Sequence, residues 1–326
     1  MKVTQNEIIQ LDKQKINIEI LKKGKYERKG TLIRKWEDKD SDFYIAQITK
    51  LNTSFIGILN NKFEREGYGL NKFSNGDQYF GYFENDLRNK HGIYFWAPQK
   101  KNNNMLHKEI YYGLWKNNLK ETKGLYLWLD ENEDNNDFQK SNFDCYIGNI
   151  KNDKYIKGTY LSKRNDDYYL YYGLFDENGK KNDKNAFFYS SNDRLIKGNI
   201  VNDNFSEGYI AYFNSETGNL DNFFFCKFGN DNCITLIKKE KELNIDNVEN
   251  IKCEMNTFRN VILEEDYFTN IYKKYKEISE FIKNNMTSID VFDDKKKFNE
   301  IIKLSIGYNS LNVFAKIERK VYNRKN

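Results

Sequence analysis

One block recurs through the middle of this chain and restricts what it can fold into: an aromatic or apolar residue, any residue, Gly, any, apolar, any, Asn. Its glycines are Gly57, Gly81, Gly113, Gly148, Gly173 and Gly198. Two positions beyond each lies an apolar residue: Leu59, Phe83, Trp115, Ile150, Phe175 and Ile200. Four positions beyond lie Asn61, Asn85, Asn117, Asn152, Glu177 and Asn202, and the exception, Glu177, is followed by Asn178-Gly179. A second glycine closes most copies, at Gly67, Gly92, Gly124, Gly158 and Gly208; the fifth copy lacks it near Ala186.

Apolar side chains at alternate positions have the period of a half-buried strand. Asn, Asp and Gly tolerate the positive φ of a two-residue hairpin turn. The pairs that begin with Asn85, Asn117, Asn152 and Asn202 stand where that turn belongs. A second strand then follows, as in Gly92–Trp96 and Gly124–Trp128. Glycine weakens a strand, so its recurrence needs a cause, and close approach of the next hairpin's aromatic ring supplies one. A lone hairpin cannot bury its apolar face, whereas a stack of hairpins can.

The run Gly67-Tyr68-Gly69-Leu70-Asn71-Lys72-Phe73-Ser74-Asn75-Gly76-Asp77-Gln78-Tyr79-Phe80-Gly81 resembles the junction of two MORN repeats. Tyr111-Tyr112-Gly113-Leu114-Trp115-Lys116-Asn117-Asn118 matches the family's Tyr-x-Gly-x-Trp-x-Asn-Gly half, with Asn118 in place of glycine. The resemblance implies a mainly β fold, an elongated, twisted, single-layer array of antiparallel β-hairpins. The long steps from Gly81 to Gly113 and from Gly113 to Gly148 place polar inserts at 98–107 and 132–141. A further degenerate copy runs over Phe224–Asp231, with Cys226 as a small buried residue in the glycine position. Ile16–Leu21, Gly30–Trp36 and Phe43–Leu51 read as strands of an N-terminal cap.

The pattern changes near Lys238. Phe268, Ile271, Tyr275, Ile278 and Ile282 are spaced by three and four, one apolar helical stripe, with Asn256 or Thr257 as its cap. Further helices are expected from Asp290 and from Ser310, with Gly307 as a stop between them. Three regions result: a cap over 1–52, the hairpin array over 53–238, and a small α-helical segment over 239–326. The helical stripe is a candidate face for packing on the hairpins or for a partner.

Composition bears on function by exclusion. Of 326 residues, 24 are Tyr and 24 Phe, and these rings carry the apolar area that scarce aliphatics do not. The net charge of +5 is spread along the chain, which argues against nucleic acid. Four cysteines form no CxxC pair and only two histidines are present, so no metal site, no disulfide framework and no cofactor is expected. His91 and His107 have no evident acid partner in the sequence, and Glu264-Glu265-Asp266 reads as a helix start. No P-loop, GxSxG elbow, HExxH or Rossmann fingerprint is present. No N-terminal signal region and no transmembrane run is evident, so a cytoplasmic location is expected.

These readings make the chain a non-catalytic scaffold or adaptor, with Phe83, Trp115, Tyr126 and Trp128 as candidate partner-binding aromatics. The MORN resemblance implies protein partners in a cytoskeletal, ciliary or membrane-cortex assembly, a partner helix in the repeat trough, or a homo-oligomer. It also implies an alternative, docking on acidic phospholipid headgroups at the membrane periphery. A regulatory subunit of an enzyme is a third reading.

Overall fold

The computed structural model describes residues 16–21, 27–35, 43–50, 52–101, 105–132, 142–164, 167–229, 234–243 and 245–263, with positions 273, 276–281, 283, 284 and 303 further on. The fold is mostly β and is built of consecutive antiparallel hairpins. The strands are β1 (Ile16–Leu21), β2 (Glu27–Lys35), β3 (Tyr44–Lys50), β4 (Thr53–Leu59), β5 (Arg65–Lys72) and β6 (Gln78–Glu84). Next come β7 (Leu87–Phe95), β8 (Gln99–Lys100), β9 (Met105–Lys116), β10 (Leu119–Asn132), β11 (Asn142–Lys151) and β12 (Lys154–Arg164). The series continues with β13 (Asp167–Leu174), β14 (Asp183–Ser190), β15 (Arg194–Val201), β16 (Asn204–Phe213), β17 (Leu220–Phe228) and β18 (Ile234–Lys239), and then helix α1 (Ile245–Leu263).

The chain forms two compact units that cut across the three regions read from the sequence. One takes residues up to Gln99, Lys108–Glu121 and the described positions from Lys273 onward; the other takes Lys100–His107 and the described residues from Thr122 into α1.

In the first unit the register lines up small residues straight across the strands: Ala46, Gly57, Gly69, Gly81, Gly92 and Gly113 face one another in succession. The second unit repeats the arrangement with Gly124, Gly148, Gly158 and Gly173. Tyr172 faces Phe187, which passes the row to Ala186, and it continues through Gly198, Gly208 and Cys226. Ala186 and Cys226 thus stand at glycine positions as small, fully buried side chains. In the first clear hairpin the partner of Gly57 is Gly69, not Gly67, because the ladder shifts register between Gly57 and Leu59, and Gly67, at φ of 85°, lies in the strand opposite that shift.

The row explains the glycines, though not through the next hairpin's ring. The ring belongs to the same strand, two residues earlier, and lies over both glycines of its own hairpin. A Cβ built at Gly81 would sit 2.5 Å from the Gly92 Cα and 2.5 Å from the Tyr79 hydroxyl. One at Gly148 would sit 2.5 Å from the Gly158 Cα and 2.6 Å from the Tyr146 hydroxyl. Residues two apart share a sheet face, so the tyrosine can fold down along its strand only if the position beneath it lacks a side chain.

The turn pairs have the left-handed backbone that their residue types favour. Asn85-Asp86 has φ of 49° and 67°, Asn117-Asn118 has 50° and 71°, Asn152-Asp153 has 49° and 66°, and Asn202-Asp203 has 50° and 68°. Positive φ at both central residues is the two-residue turn whose twist suits paired strands.

Opposite the glycine row, each unit has a face that its own helical residues cover. In the first unit Ile45, Ile56, Leu70, Phe80, Ile93 and Tyr112 form one cluster with Ile278, and Phe281 packs against it. In the second unit, α1 turns Val248, Ile251, Met255 and Phe258, spaced three, four and three apart, into the interior. The Phe258 ring stacks on Phe187 at 4.4 Å and 9°. Arg259 binds Asp193 at 3.1 Å in a largely buried pair, and Tyr189 donates to the same carboxylate at 2.6 Å. The expected cap at Asn256 or Thr257 is corrected: both lie inside α1, where the Thr257 hydroxyl bonds back to the Cys253 carbonyl at 2.7 Å. Of the predicted stripe, Ile278 is the member whose side chain the structure describes, buried on its own sheet. Phe268, Ile271, Tyr275 and Ile282, the Glu264–Asp266 cluster and the helices expected after Asp290 lie outside the described residues or side chains.

Gly81→Val is expected to cost about 3 kcal/mol or more, the upper end for overpacking, because backbone as well as ring blocks the new side chain. Urea unfolding checks this, and an unchanged midpoint would show that the row does not require glycine.

Candidate functional site

The face that carries the glycine row also carries the aromatic residues, and its construction starts from the Tyr-x-Gly motif. In that motif the ring covers the glycines and the hydroxyl reaches further along the strand. Tyr79 donates to the Tyr82 carbonyl at 3.0 Å and Tyr111 to Leu114 at 2.9 Å. Tyr146 donates to Asn149 at 2.7 Å and Tyr171 to Leu174 at 2.6 Å. The acceptor is in every case three residues on, next to the turn, where ladder register is shifting or ending. Burial pushes the hydroxyls of Tyr79, Tyr146 and Tyr171 well above the usual tyrosine range, so they remain protonated donors. This is the physical reason for tyrosine over phenylalanine at the motif.

In the first unit these rings close on one another. Tyr79 meets Phe83 edge to face at 5.0 Å and 84°, and Tyr111 meets Trp115 at 5.1 Å and 89°. Between hairpins, Phe55 meets Phe83 at 5.5 Å and Tyr79 meets Trp115 at 5.5 Å, again near perpendicular. This herringbone is the preferred aromatic geometry. Arginines then lie over it: the Arg65 guanidinium is 4.7 Å from the Phe83 ring centre and Arg88 is 4.4 Å from that of Trp115.

The same arginines lock successive turns together. The Asp86 carboxylate accepts from the Arg65 backbone N–H at 2.8 Å and from its Nε at 3.1 Å, while the Asp86 N–H donates to the Arg65 carbonyl. Asn118 does the same for Arg88, accepting from the backbone N–H at 2.8 Å. Asp203 does so for Lys181, at 3.0 Å. The second turn residue of one hairpin therefore grips the strand start of the hairpin before it. Sequence reasoning used these residues only for their turn propensity and missed the grip; the recurring basic residue ahead of each hairpin's second strand was the available signal.

The candidate partner-binding aromatics need correction on this geometry. Phe83 is 1% exposed, Trp115 4% and Tyr126 7%, so these three are core. Trp128 is half-buried and stacks on Tyr126 at 4.1 Å and 14°.

The second unit differs in how far the aromatic face closes. A line runs across the strands beside the glycine row: Tyr126, Tyr146, Tyr160, Tyr171, Phe188, Ile196, Ile210 and Phe224. Tyr160, Phe188, Ile196 and Phe224 are half-buried, as are Tyr169 and Tyr212 in the next line out. Tyr169 stacks on Phe188 at 5.5 Å and 17°. Polar groups stand among the rings. Arg164 binds the Asp144 carboxylate at 2.6 Å, a bond that raises the guanidinium pKa. Lys181 lies 4.9 Å from the Tyr160 ring centre. Flat rings, carboxylate and cations on one accessible surface suit a polypeptide with apolar and charged side chains more than a small apolar molecule.

Other reactive groups lie elsewhere. His107 has an acid partner that the sequence did not reveal: its Nδ1 is 2.7 Å from Asp130, which also binds Lys101 at 2.9 Å. Burial opposes ionisation of Asp130, but the bonds from His107 and Lys101 outweigh it and hold the carboxyl below its usual range. Burial pushes the Cys145 and Cys226 thiols up, which suits small packed residues rather than nucleophiles. Among the described residues no group of three or more His, Cys, Asp and Glu is placed to hold a metal ion. Among them, too, no helix is long and apolar enough to cross a membrane.

No protein-family model matches this chain, and no curated protein matches it. The likeness to MORN repeats therefore rests on the motifs and their phasing.

Tyr171→Phe is expected to cost about 1 kcal/mol, the lost hydrogen bond, whereas Tyr171→Ala costs about 3–5 kcal/mol, the lost ring. Chemical denaturation of the two variants separates the contributions; equal losses would mean that the hydroxyl, not the ring, carries the packing.

Proposed function

We propose that this chain is a non-catalytic, MORN-like binding scaffold, and that a segment of a partner protein lies on the glycine-row face of the second unit. The observation that carries the reading is the half-buried aromatic surface of Tyr160, Tyr169, Phe188, Tyr212 and Phe224. Within that unit the opposite face already has an occupant, because α1 packs there through Phe258 and Arg259. The aromatic face retains rings that can each add large contact area at small entropic cost, the usual anchors of protein interfaces. A helix or an extended peptide with apolar anchors and a few charges fits it. The setting we propose is a cytoskeletal, ciliary or membrane-cortex assembly.

The test is in-cell cross-linking followed by purification of the full chain. Cross-links to one recurrent protein are expected on β12–β17, and Tyr169→Ser with Phe188→Ser should abolish its capture while circular dichroism shows the variant still folded. Capture that survives the double substitution overturns the reading. So does salt-sensitive flotation with acidic vesicles that the same substitutions remove, which would make the surface a lipid site.

A further inference from the structure

Among the arginines whose side chains are described, Arg65, Arg88, Arg164 and Arg259 each have an acceptor, on Asp86, Asn118, Asp144 and Asp193. Arg194 differs. Among the described residues its guanidinium makes no hydrogen bond and no ion pair, and its Nε is buried without a partner. A buried donor with no acceptor is destabilising, so its place needs a reason. Arg194 opens β15 and faces Ser190 on β14 and Tyr212 on β16, which sets it in the outer line of the glycine-row face, among the half-buried rings. The inner line beside it passes through Phe188, Ile196, Ile210 and Phe224 and ends at Lys239, directly opposite Phe224. Lys239 is exposed and makes no ion pair among the described residues.

From β14 to β18 neither line contains an Asp or a Glu. Asp193, next to Arg194 in the chain, is taken by Arg259 and Tyr189. Asp144, on the outer line but on β11, is taken by Arg164. This end of the face therefore combines flat rings with two positive charges that the fold leaves unpaired.

We infer that Arg194 anchors a carboxylate: the partner segment on this face carries an Asp or Glu side chain beside its apolar residues, and that acid seats on the Arg194 guanidinium, with Lys239 attracting a second acid at the edge. The inference rests on the reading of the aromatic face as a protein-binding surface. It adds the sign of the charge that the partner brings and the residue that reads it. A guanidinium matches a planar carboxylate through two parallel N–H bonds, and rings around such a bond keep water from it. Attraction to a lipid surface draws on clustered cations. Here the cations stand apart, on β15 and β18, with Ile210, Tyr212 and Phe224 on the strands between. That alternation suits a polypeptide with interspersed acidic and apolar side chains.

The test is selection of a random peptide display library on the full chain, followed by titration of the consensus peptide. Peptides that combine Asp or Glu with aromatic or aliphatic residues are expected. Replacing that acid by its amide should weaken binding about tenfold or more, and Arg194→Gln should do the same. The two losses should not add, since both remove one bond. Lys239→Gln should weaken binding by less, and Lys238→Gln, on the other face of β18, should leave it unchanged. These exposed lysines decide the matter if circular dichroism shows Arg194→Gln to be misfolded. Peptides that bind through the face without an acid overturn the inference and leave the aromatic reading intact. Losses that add in full, or equal effects at Lys238 and Lys239, do the same. Binding to phosphatidylserine vesicles but not to neutral ones, removed by Arg194→Gln, gives the guanidinium to a phosphate headgroup and also overturns it. A library that yields no binder, or only binders indifferent to Tyr169→Ser with Phe188→Ser, overturns the aromatic reading itself and the inference with it.

Discussion

A tyrosine laid flat over two facing glycines is the contact on which the hairpins depend. It needs three conditions at once. The ring must share a face with the glycine two residues on, the neighbouring strand must present glycine in register, and a carbonyl must await the hydroxyl. Tyr79 meets all three, with Gly81 and Gly92 beneath it and Tyr82 as acceptor. Because a strand slipped by one residue would turn every ring to the other face, the contact also selects the register. Overpacking at a glycine and loss of the hydroxyl are thus two ways to disturb one contact.

From this contact the two faces acquire different characters. The glycine-row face is aromatic and hydrogen-bonded to its own backbone. The opposite face is aliphatic and aromatic without that tether, and it is where α1 and Ile278 pack. Arginine decides how far the aromatic face closes. In the first unit Arg65 and Arg88 lie over the herringbone. In the second, Lys181 takes the equivalent position on a single hairpin, and several rings keep part of their surface exposed.

Much of this was legible in the sequence because it is local and periodic. The glycine phasing and the Asn-Asp pairs report on backbone geometry that residue type controls directly. The place of Cys226 in the row followed from the phase alone. What was not legible depends on residues far apart in the chain. Arg65 and Asp86 are 21 residues apart, with only the recurring basic residue as a signal, and His107 and Asp130 are 23 apart with no periodic signal at all. The direction of the tyrosine ring was also invisible, since either hairpin's ring satisfies the need for a small residue. Likewise, apolar residues two beyond the glycines look the same in sequence whether exposed or enclosed; the packing of neighbouring hairpins put Phe83 and Trp115 inside. Helix α1 was not read from the sequence, because its stripe of Val248, Ile251, Met255 and Phe258 is short and interrupted by polar residues, two of which read as the cap of a later helix.

The grip of each turn on its predecessor gives the chain a modular chemistry. Asp86 needs only Arg65, Asn118 only Arg88, and Asp203 only Lys181. Every bond across such a junction is made between adjacent hairpins, and the same bonds recur at the next. Duplicating or deleting a whole hairpin would therefore leave each remaining junction chemically intact. A gene encoding such a chain can lengthen or shorten it in whole steps, while insertion or deletion of a single residue within a strand turns the side chains beyond it to the other face.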